Sequence, residues 1–283
     1  MRRRSWWLPI ALLALADCSR PSPPPAPLPA SVPSDLARDL ADRQRCNLLN
    51  GCDPEDALAA LGPAYARAAC ALYTGSAGAD DRYWRSRVLA ALGRMGGPDA
   101  VACLRAALVQ GRWLEQATAA FALGDLRAAE AVPDLEAVVA QGPGGGGVAL
   151  EAGARTALAL LGRPVDLSPL WARLAGAEEA VTDWPMLRFV VQAARTLKSR
   201  EQAPAIARLL KHPDYYLRRE ALQALAALGD PSTVDAVAAA LDDPMPGIRR
   251  GAIAALQALV PRAPAGSLEA WRAWRDARRG PTP

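Results

Sequence analysis

The amino-acid sequence predicts an all-α protein, built as an α-solenoid from stacked pairs of short helices. Apolar residues make up 51% of the 283 residues but aromatic residues only 5%, and the apolar share is mostly alanine and leucine. These two residues favour helices, and alanine lets helix axes approach closely. Runs of β-branched residues that alternate with polar ones are missing, so a sheet protein is not expected.

A regular internal repeat is the third observation. A leucine, often followed by glycine, recurs at Leu61-Gly62, Leu92-Gly93, Leu123-Gly124, Leu161-Gly162, Leu197, Leu228-Gly229 and Leu259. The interval is 31 residues from 61 to 92, 92 to 123, 197 to 228 and 228 to 259. Such a length accommodates two short helices and two turns, which predicts a repeated helical pair.

The clearest unit spans residues 217–241. Its first helix, 217–228, carries apolar residues on one face at Leu217, Ala221, Ala224, Leu225 and Leu228. Gly229 suits a left-handed helix cap, and Asp230-Pro231 supplies a cap residue and a first-turn proline for the second helix, 232–241. After Asp242-Asp243-Pro244 the pattern restarts at Ile248, 31 residues after Leu217.

This unit resembles the HEAT-like repeat family, particularly the variety also found in phycobilin lyases. The matching elements are the Leu217-Arg218 and Ile248-Arg249 starts, the alanines that follow them, and the turn at 228–231. The resemblance runs from about Arg82 to Val260. It implies a right-handed solenoid in which one helix of each pair lines a concave face and the whole stack is the folding unit.

The start of the chain is typical of export. Residues 1–17 read as a signal peptide, with arginines at 2–4 and an apolar stretch at 6–16 that is too short to span a bilayer as a helix. Residues 15–18 resemble the lipobox of bacterial lipoproteins, in which Cys18 would be acylated, although Asp17 stands where that family has Gly, Ala or Ser. Ordinary cleavage after Ala16 is the alternative. We therefore expect an exported lipoprotein, anchored to a membrane of the bacterial envelope and facing the periplasm or cell surface.

The remaining organisation follows from composition. Residues 18–33 form a lipidated cysteine and a tether, because seven of residues 21–33 are prolines and favour extended polyproline II. Residues 34–81 are assigned to an N-terminal helical cap and a partial repeat, and 82–260 to HEAT-like repeats. Residues 261–283 are assigned to a capping helix that begins at Ser267 and covers the last repeat with Trp271 and Trp274.

With Cys18 assigned to the anchor, four cysteines remain, an even number that suits an oxidising compartment. Cys46 and Cys52 bracket a short polar turn, which favours a local disulfide. Cys70 and Cys103 are expected on neighbouring helices, where they either pair or serve as small buried apolar residues.

Residues that could carry chemistry are scarce, so no catalytic residue, metal site or cofactor is predicted. His212 is the only histidine, and one histidine cannot form the His-Glu metal pairs that deoxyhypusine hydroxylases of the HEAT-like class use. Serine-hydrolase and zinc motifs are missing. Arginines alternate with carboxylates along the chain and form no basic run with interleaved aromatics, so a nucleic-acid partner is not expected either. Phycobilin attachment remains a distant alternative.

Two surface patterns point to a protein partner. Arg188, Arg219 and Arg250 share one column at 31-residue spacing, with Gln192 and Gln223 one turn later. They form a ladder of donors for an acidic or carbonyl-rich partner, or else the arginines pair between repeats with Asp214, Glu220 and Asp243. Aromatic residues are expected where the second helix of a repeat begins, at Tyr83, Trp84, Trp113, Trp184, Tyr215 and Tyr216. They form either a binding rim or staples between turn and helix.

From these patterns we expect a non-enzymatic envelope lipoprotein that binds another protein, and no small-molecule substrate, through a helical-repeat surface. The alternative is a lyase-like or maturation enzyme that uses the groove of the solenoid as a substrate site.

Overall fold

The computed structural model describes residues 31–41, 46–47, 51–75, 82–142, 147–176, 184–260 and 267–279. The predicted signal peptide and the predicted lipidation residue Cys18 lie outside these ranges. This part of the chain contains fifteen α-helices and one two-stranded antiparallel ladder, β1 (Cys46–Asn47) and β2 (Gly51–Cys52), in which Cys46 is the register partner of Cys52. The side chains of these two cysteines lie outside the described set, so the predicted local disulfide stays a prediction.

The helices alternate between two layers. The inner layer contains α2 (Asp53–Ala60), α4 (Arg82–Met95), α6 (Trp113–Asp125), α8 (Gly147–Leu160), α10 (Trp184–Thr196), α12 (Tyr215–Leu228) and α14 (Pro246–Leu259). The outer layer contains α3 (Ala66–Gly75), α5 (Pro98–Gln110), α7 (Val132–Gln141), α9 (Ser168–Ala175), α11 (Ala203–Arg208), α13 (Val234–Ala239) and α15 (Leu268–Arg279). Helix α1 (Ser34–Ala41) packs on α2 and α4 at the N-terminal end. The predicted all-α class, a solenoid of helical pairs, is confirmed.

The inner layer is the more closely packed one. A Cβ built on Gly124 of α6 would lie 2.6 Å from the Cα of Ala157 in α8, and one built on Gly93 of α4 would lie 2.6 Å from the Cβ of Ala122 in α6. Helices of the outer layer contact one another far less. The inner-layer helices therefore pack directly on one another along the stack.

The Leu-Gly column has two structural roles, and the sequence had indicated one. Gly229 ends α12 in the left-handed conformation (φ 66°, ψ 30°), as predicted. Gly93 and Gly124 have another role, because a side chain at either position would collide with the next helix. Helices α4 and α6 end shortly after these glycines, at Met95 and Asp125. Positive-φ residues follow them at Gly96 (φ 71°) and Arg127 (φ 55°).

Buried apolar residues form two core clusters, one towards each end of the stack. Val32, which the sequence places in the tether, is 8% exposed and belongs to the N-terminal cluster. At the other end the indole of Trp271 is fully buried under α13 and α14, and the backbone N–H of Ala270 donates to Oγ of Ser267 at 3.4 Å. Helix α15 thus covers the apolar end of the last repeat.

Candidate protein-binding surface

One side of α12 is open to solvent. Tyr216, Arg219 and Gln223 follow each other at helical spacing and are exposed or half-buried, whereas Leu217, Leu225 and their neighbours on the opposite side are buried. Helices α10 and α14 carry the equivalent positions 31 residues away. The ladder face, as we name it, consists of Arg188 and Gln192 on α10, Arg219 and Gln223 on α12, and Arg250 on α14. The structure places these five predicted residues at equivalent helix positions, on the side turned away from the outer layer.

The carboxylates considered as partners for this column contact other groups. Asp243 lies 2.8 Å from Nε of Arg218, and Glu220 lies 3.4 Å from Nη2 of Arg195. The carboxylate of Asp214 accepts the backbone N–H of Leu217 at 2.7 Å and so caps α12. Among the described residues, none of these three carboxylates therefore forms an ion pair with Arg219 or Arg250.

The three ladder arginines differ in their surroundings. The guanidinium carbon of Arg188 lies 4.7 Å from the centroid of the Phe189 ring, a cation–π contact. Nη1 of Arg219 is buried and has no hydrogen-bond partner among the described residues. Arg250 is exposed at the end of the stack. Arg250 is therefore the most exposed of the three, since Arg188 and Arg219 are both half-buried.

Sequence reasoning missed the role of the arginine that precedes Arg219 and Arg250. Arg218 Nη1 donates to the carbonyls of His212 and Pro213, both at 2.9 Å. Arg249 does the same one repeat later, with the carbonyls of Asp243 and Pro244 at 2.7 and 2.9 Å. Each arginine holds the turn before its own helix. The available signal was an arginine five residues after a turn proline in two successive repeats.

The aromatic residues do not form one rim. They begin α4, α6, α10 and α12, the first helix of each pair, so the prediction that they begin the second helix is wrong. Trp84 is 8% exposed and packs in the core, and Trp113 lies edge-on to Phe189 with ring centroids 6.3 Å apart. Tyr216 is 38% exposed and lies edge-on to Tyr215. Trp184 begins α10, and its side chain is outside the described set.

An aromatic stack closes the inner side in the middle of the solenoid. Phe121 of α6 and Phe189 of α10 have ring centroids 6.3 Å apart and nearly parallel planes, although α8 lies between their helices in the stack. Helix α8 approaches Phe121 with Gly153, where an added Cβ would lie 3.2 Å from Cδ2 of the Phe121 ring. The ladder face begins after this stack, at α10.

A second polar cluster is enclosed near the N-terminal end. Glu115 is 1% exposed, and it accepts the Tyr73 hydroxyl at 2.9 Å and the Arg112 N–H at 3.4 Å, while Nε of Arg85 lies 3.1 Å from its other oxygen. Burial raises the pKa of the Tyr73 phenol. These contacts tie α3 and α4 to the start of α6, a structural role that the sequence pattern did not indicate. In the described ranges no three His, Cys, Asp or Glu residues are grouped closely enough to hold a metal ion.

Close by, a disulfide joins the outer layer. The Sγ atoms of Cys70 in α3 and Cys103 in α5 are bonded, with their Cα atoms 5.9 Å apart. Of the two interpretations left open for these cysteines, the structure has the paired one.

Comparison with known proteins agrees with the repeat architecture. Residues 179–259, from just before α10 to the end of α14, match the family model for HEAT repeats. Residues 115–141, which cover α6 and α7, match that for the PBS lyase HEAT-like repeat. Residues 115–141 and 179–259 carry HEAT-like repeats. The ladder face thus lies entirely within the segment matched as HEAT repeats.

Sequence comparison of this HEAT-like repeat chain with curated proteins finds no significant match. Eleven chains of known structure match it, among them human deoxyhypusine hydroxylase in complex with glycerol. That protein is 18% identical, with a TM-score of 0.41 over 80% of this chain and 94% of its own. Among the described residues, no helix is long and apolar enough to cross a membrane.

Proposed function

We propose that this HEAT-like repeat protein is a non-enzymatic scaffold that binds another protein through the ladder face. The observation that carries the proposal is the same donor at the same helix position on three successive inner-layer helices, beside carboxylates that are used by other groups. Arginine is the cation best suited to bind carboxylates and carbonyls at interfaces, because its planar group offers several donors in a fixed geometry.

The proposed location is the bacterial envelope, where a lipid on Cys18 anchors the chain to a membrane. Two features support this location. The Cys70–Cys103 disulfide is of a kind that persists in oxidising compartments. The proline-rich segment that precedes Val32 would extend by about 3.1 Å per residue and hold the repeats away from the bilayer.

A pull-down from bacterial envelope extracts tests the scaffold. The bait is the intact chain or a variant with Arg188→Glu, Arg219→Glu and Arg250→Glu. The matched control carries the same charge reversals at Arg67, Arg200 and Arg278, whose side chains are 68%, 58% and 51% exposed outside the ladder face. Circular dichroism checks that all three baits are folded.

A partner recovered by the intact chain and by the control, and lost by the ladder variant, is the expected result. Equal recovery of the partner by all three baits would show that its binding site lies outside the ladder face. A failure of every bait to recover a protein would contradict the scaffold function itself.

The anchor is tested separately by metabolic labelling with radioactive palmitate. The intact chain is expected to take up label, and Cys18→Ala is expected to lose it, because the acylated thiol is gone. Equal labelling of the two chains would exclude Cys18 as the lipid attachment site.

A further inference from the structure

The charge on the inner side of α10, α12 and α14 selects an anionic partner. Arg188, Arg195, Arg219 and Arg250 lie there, and Glu220 is the only acidic residue in the sequences of these three helices. Glu220 is paired with Arg195 at 3.4 Å, so Arg219 and Arg250 keep their positive charges on two neighbouring helices. Acidic groups are therefore attracted to this face, and basic or neutral segments are not.

Arg219 and Arg250 have no carboxylate partner among the described residues. Arg219 is half-buried, and its Nη1 is shielded from water and has no hydrogen-bond partner there. Such an N–H group gains from an acceptor that a partner brings to it. Arg250 is exposed, and among the described residues no carboxylate oxygen lies within 4.0 Å of its guanidinium. Carboxylates of a partner would complete both sites.

The glutamines between the arginines indicate the backbone conformation of the partner. Gln192 and Gln223 hold equivalent positions on α10 and α12, one helical turn after Arg188 and Arg219. A side-chain amide both donates and accepts, so it pairs with the N–H and C=O groups of a peptide. A helical partner has already used these groups internally, whereas an extended segment exposes them.

The spacing of the helices distinguishes two kinds of extended segment. Packed helices lie about 8–10 Å apart, so successive ladder positions repeat at roughly that distance. In a β-strand, residues on one face are two positions apart. Their spacing of about 6.6 Å is shorter than the distance between packed helices. In polyproline II every third residue returns to the same side after about 9.3 Å, which matches the helix spacing.

We infer that the ladder face binds an acidic segment of the partner protein in the polyproline II conformation, with carboxylates three residues apart that pair with Arg219 and Arg250. Gln192 and Gln223 contact the backbone of this segment. The inference rests on the proposed scaffold function and specifies the chemistry of its partner.

Fluorescence anisotropy with labelled twelve-residue peptides tests the inference on the full chain in detergent. One peptide carries glutamate at every third position with prolines between, and the second has the same composition with its glutamates at alternate positions, so that no two of them are three residues apart. The first peptide is expected to bind at least tenfold more tightly than the second. Arg219→Glu/Arg250→Glu is expected to weaken that binding at least tenfold, and Arg67→Glu/Arg278→Glu to leave it unchanged.

Equal affinity for the two peptides would overturn the three-residue spacing. Binding that survives Arg219→Glu/Arg250→Glu would overturn the assignment of the two arginines. If neither peptide binds while the pull-down still yields a partner that the ladder variant loses, the acidic polyproline II segment is wrong and the scaffold stands.

Discussion

Nε of Arg218 lies 2.8 Å from Oδ2 of Asp243, across the boundary between two successive repeats. The two side chains are only 10% and 9% exposed, and Nη2 of Arg218 also donates to Oδ1 at 3.2 Å. The pair links α12 to the turn that precedes α14. It also leaves the neighbouring Arg219 without that carboxylate, so the same contact stabilises the stack and keeps the ladder face positive.

Asp243→Ala is expected to lower the free energy of unfolding by about 3–5 kcal/mol, because it leaves the Arg218 charge buried without its partner. The control is Asp235→Ala, since Asp235 is 76% exposed and its contact with Arg278 is 3.5 Å long. That change is expected to lower the free energy of unfolding by less than about 1 kcal/mol. Urea denaturation of both variants measures the difference, and equal losses would show that the Arg218 pair is not important for stability.

Gly124→Ala is expected to destabilise the protein by about 1–3 kcal/mol, because the added methyl group would overlap the Cα of Ala157 and force α6 and α8 apart. Gly75→Ala, at the end of α3, serves as control, because no described residue lies within 4 Å of the added atom, and it is expected to be neutral or slightly stabilising. Thermal denaturation followed by circular dichroism compares the two. A harmless Gly124→Ala would contradict the close approach of these helices.

Lys198 and Gly229 end α10 and α12 at equivalent positions, with φ of 53° and 66°. Lys198→Gly is expected to stabilise the protein by about 1 kcal/mol, because glycine adopts the left-handed conformation without a steric cost. Gly229→Lys is expected to destabilise it by a similar amount. Changes of the same sign for the two variants in urea denaturation would argue against this shared cap geometry.

Removal of the disulfide with Cys70→Ala/Cys103→Ala is expected to lower the free energy of unfolding by about 3–4 kcal/mol, because the bond closes a loop between residues 33 apart in sequence. A reductant is expected to lower the free energy of unfolding of the intact protein, because it breaks this bond. The double variant has no such bond to break, so this loss is not expected in it. Thiol titration of the unfolded chain before and after reduction counts the cysteines released. Detection of Cys70 as a free thiol without reductant would contradict the pairing.

Burial raises the pKa of the Glu55 carboxyl, although the Arg94 guanidinium 2.9 Å away opposes the shift. The folded protein therefore binds this proton more tightly than the unfolded chain does. The stability from this group is present below the ordinary pKa of a glutamate and is lost as the pH rises through the raised value. Glu55→Gln is expected to be at least as stable as the wild type at pH 7.

This advantage of Glu55→Gln is expected to vanish as the pH falls to about 4, where the wild-type carboxyl is protonated as well. Urea midpoints of the two proteins at both pH values measure it. Asp56→Asn serves as control, because Asp56 also contacts Arg94 but is 68% exposed. A Glu55→Gln variant that is much less stable than the wild type at pH 7 would show that the ion pair outweighs burial.

Much of the candidate surface could be predicted from the sequence, because its residues repeat at a constant interval. Arg219 and Arg250 each stand four residues after the first residue of α12 and α14, so identical local geometry puts them at the same helix position. The sequence pattern could not distinguish the buried aromatic residues from the exposed ones. Trp84 and Tyr216 both lie in the first turn of an inner-layer helix, yet one is buried and the other exposed, because burial depends on the helices that pack around them.

The sequence by itself determined the helices, their pairing and the end of α12 at Gly229, since helix periodicity and caps are properties of neighbouring residues. The tertiary structure alone decided that Gly93 and Gly124 serve helix contact, and that Glu115 is enclosed by groups from three helices. It also decided that Phe121 meets Phe189 across α8. Each of these features depends on how closely two or more helices approach. That distance is set by side chains far apart in sequence, so no local pattern records it.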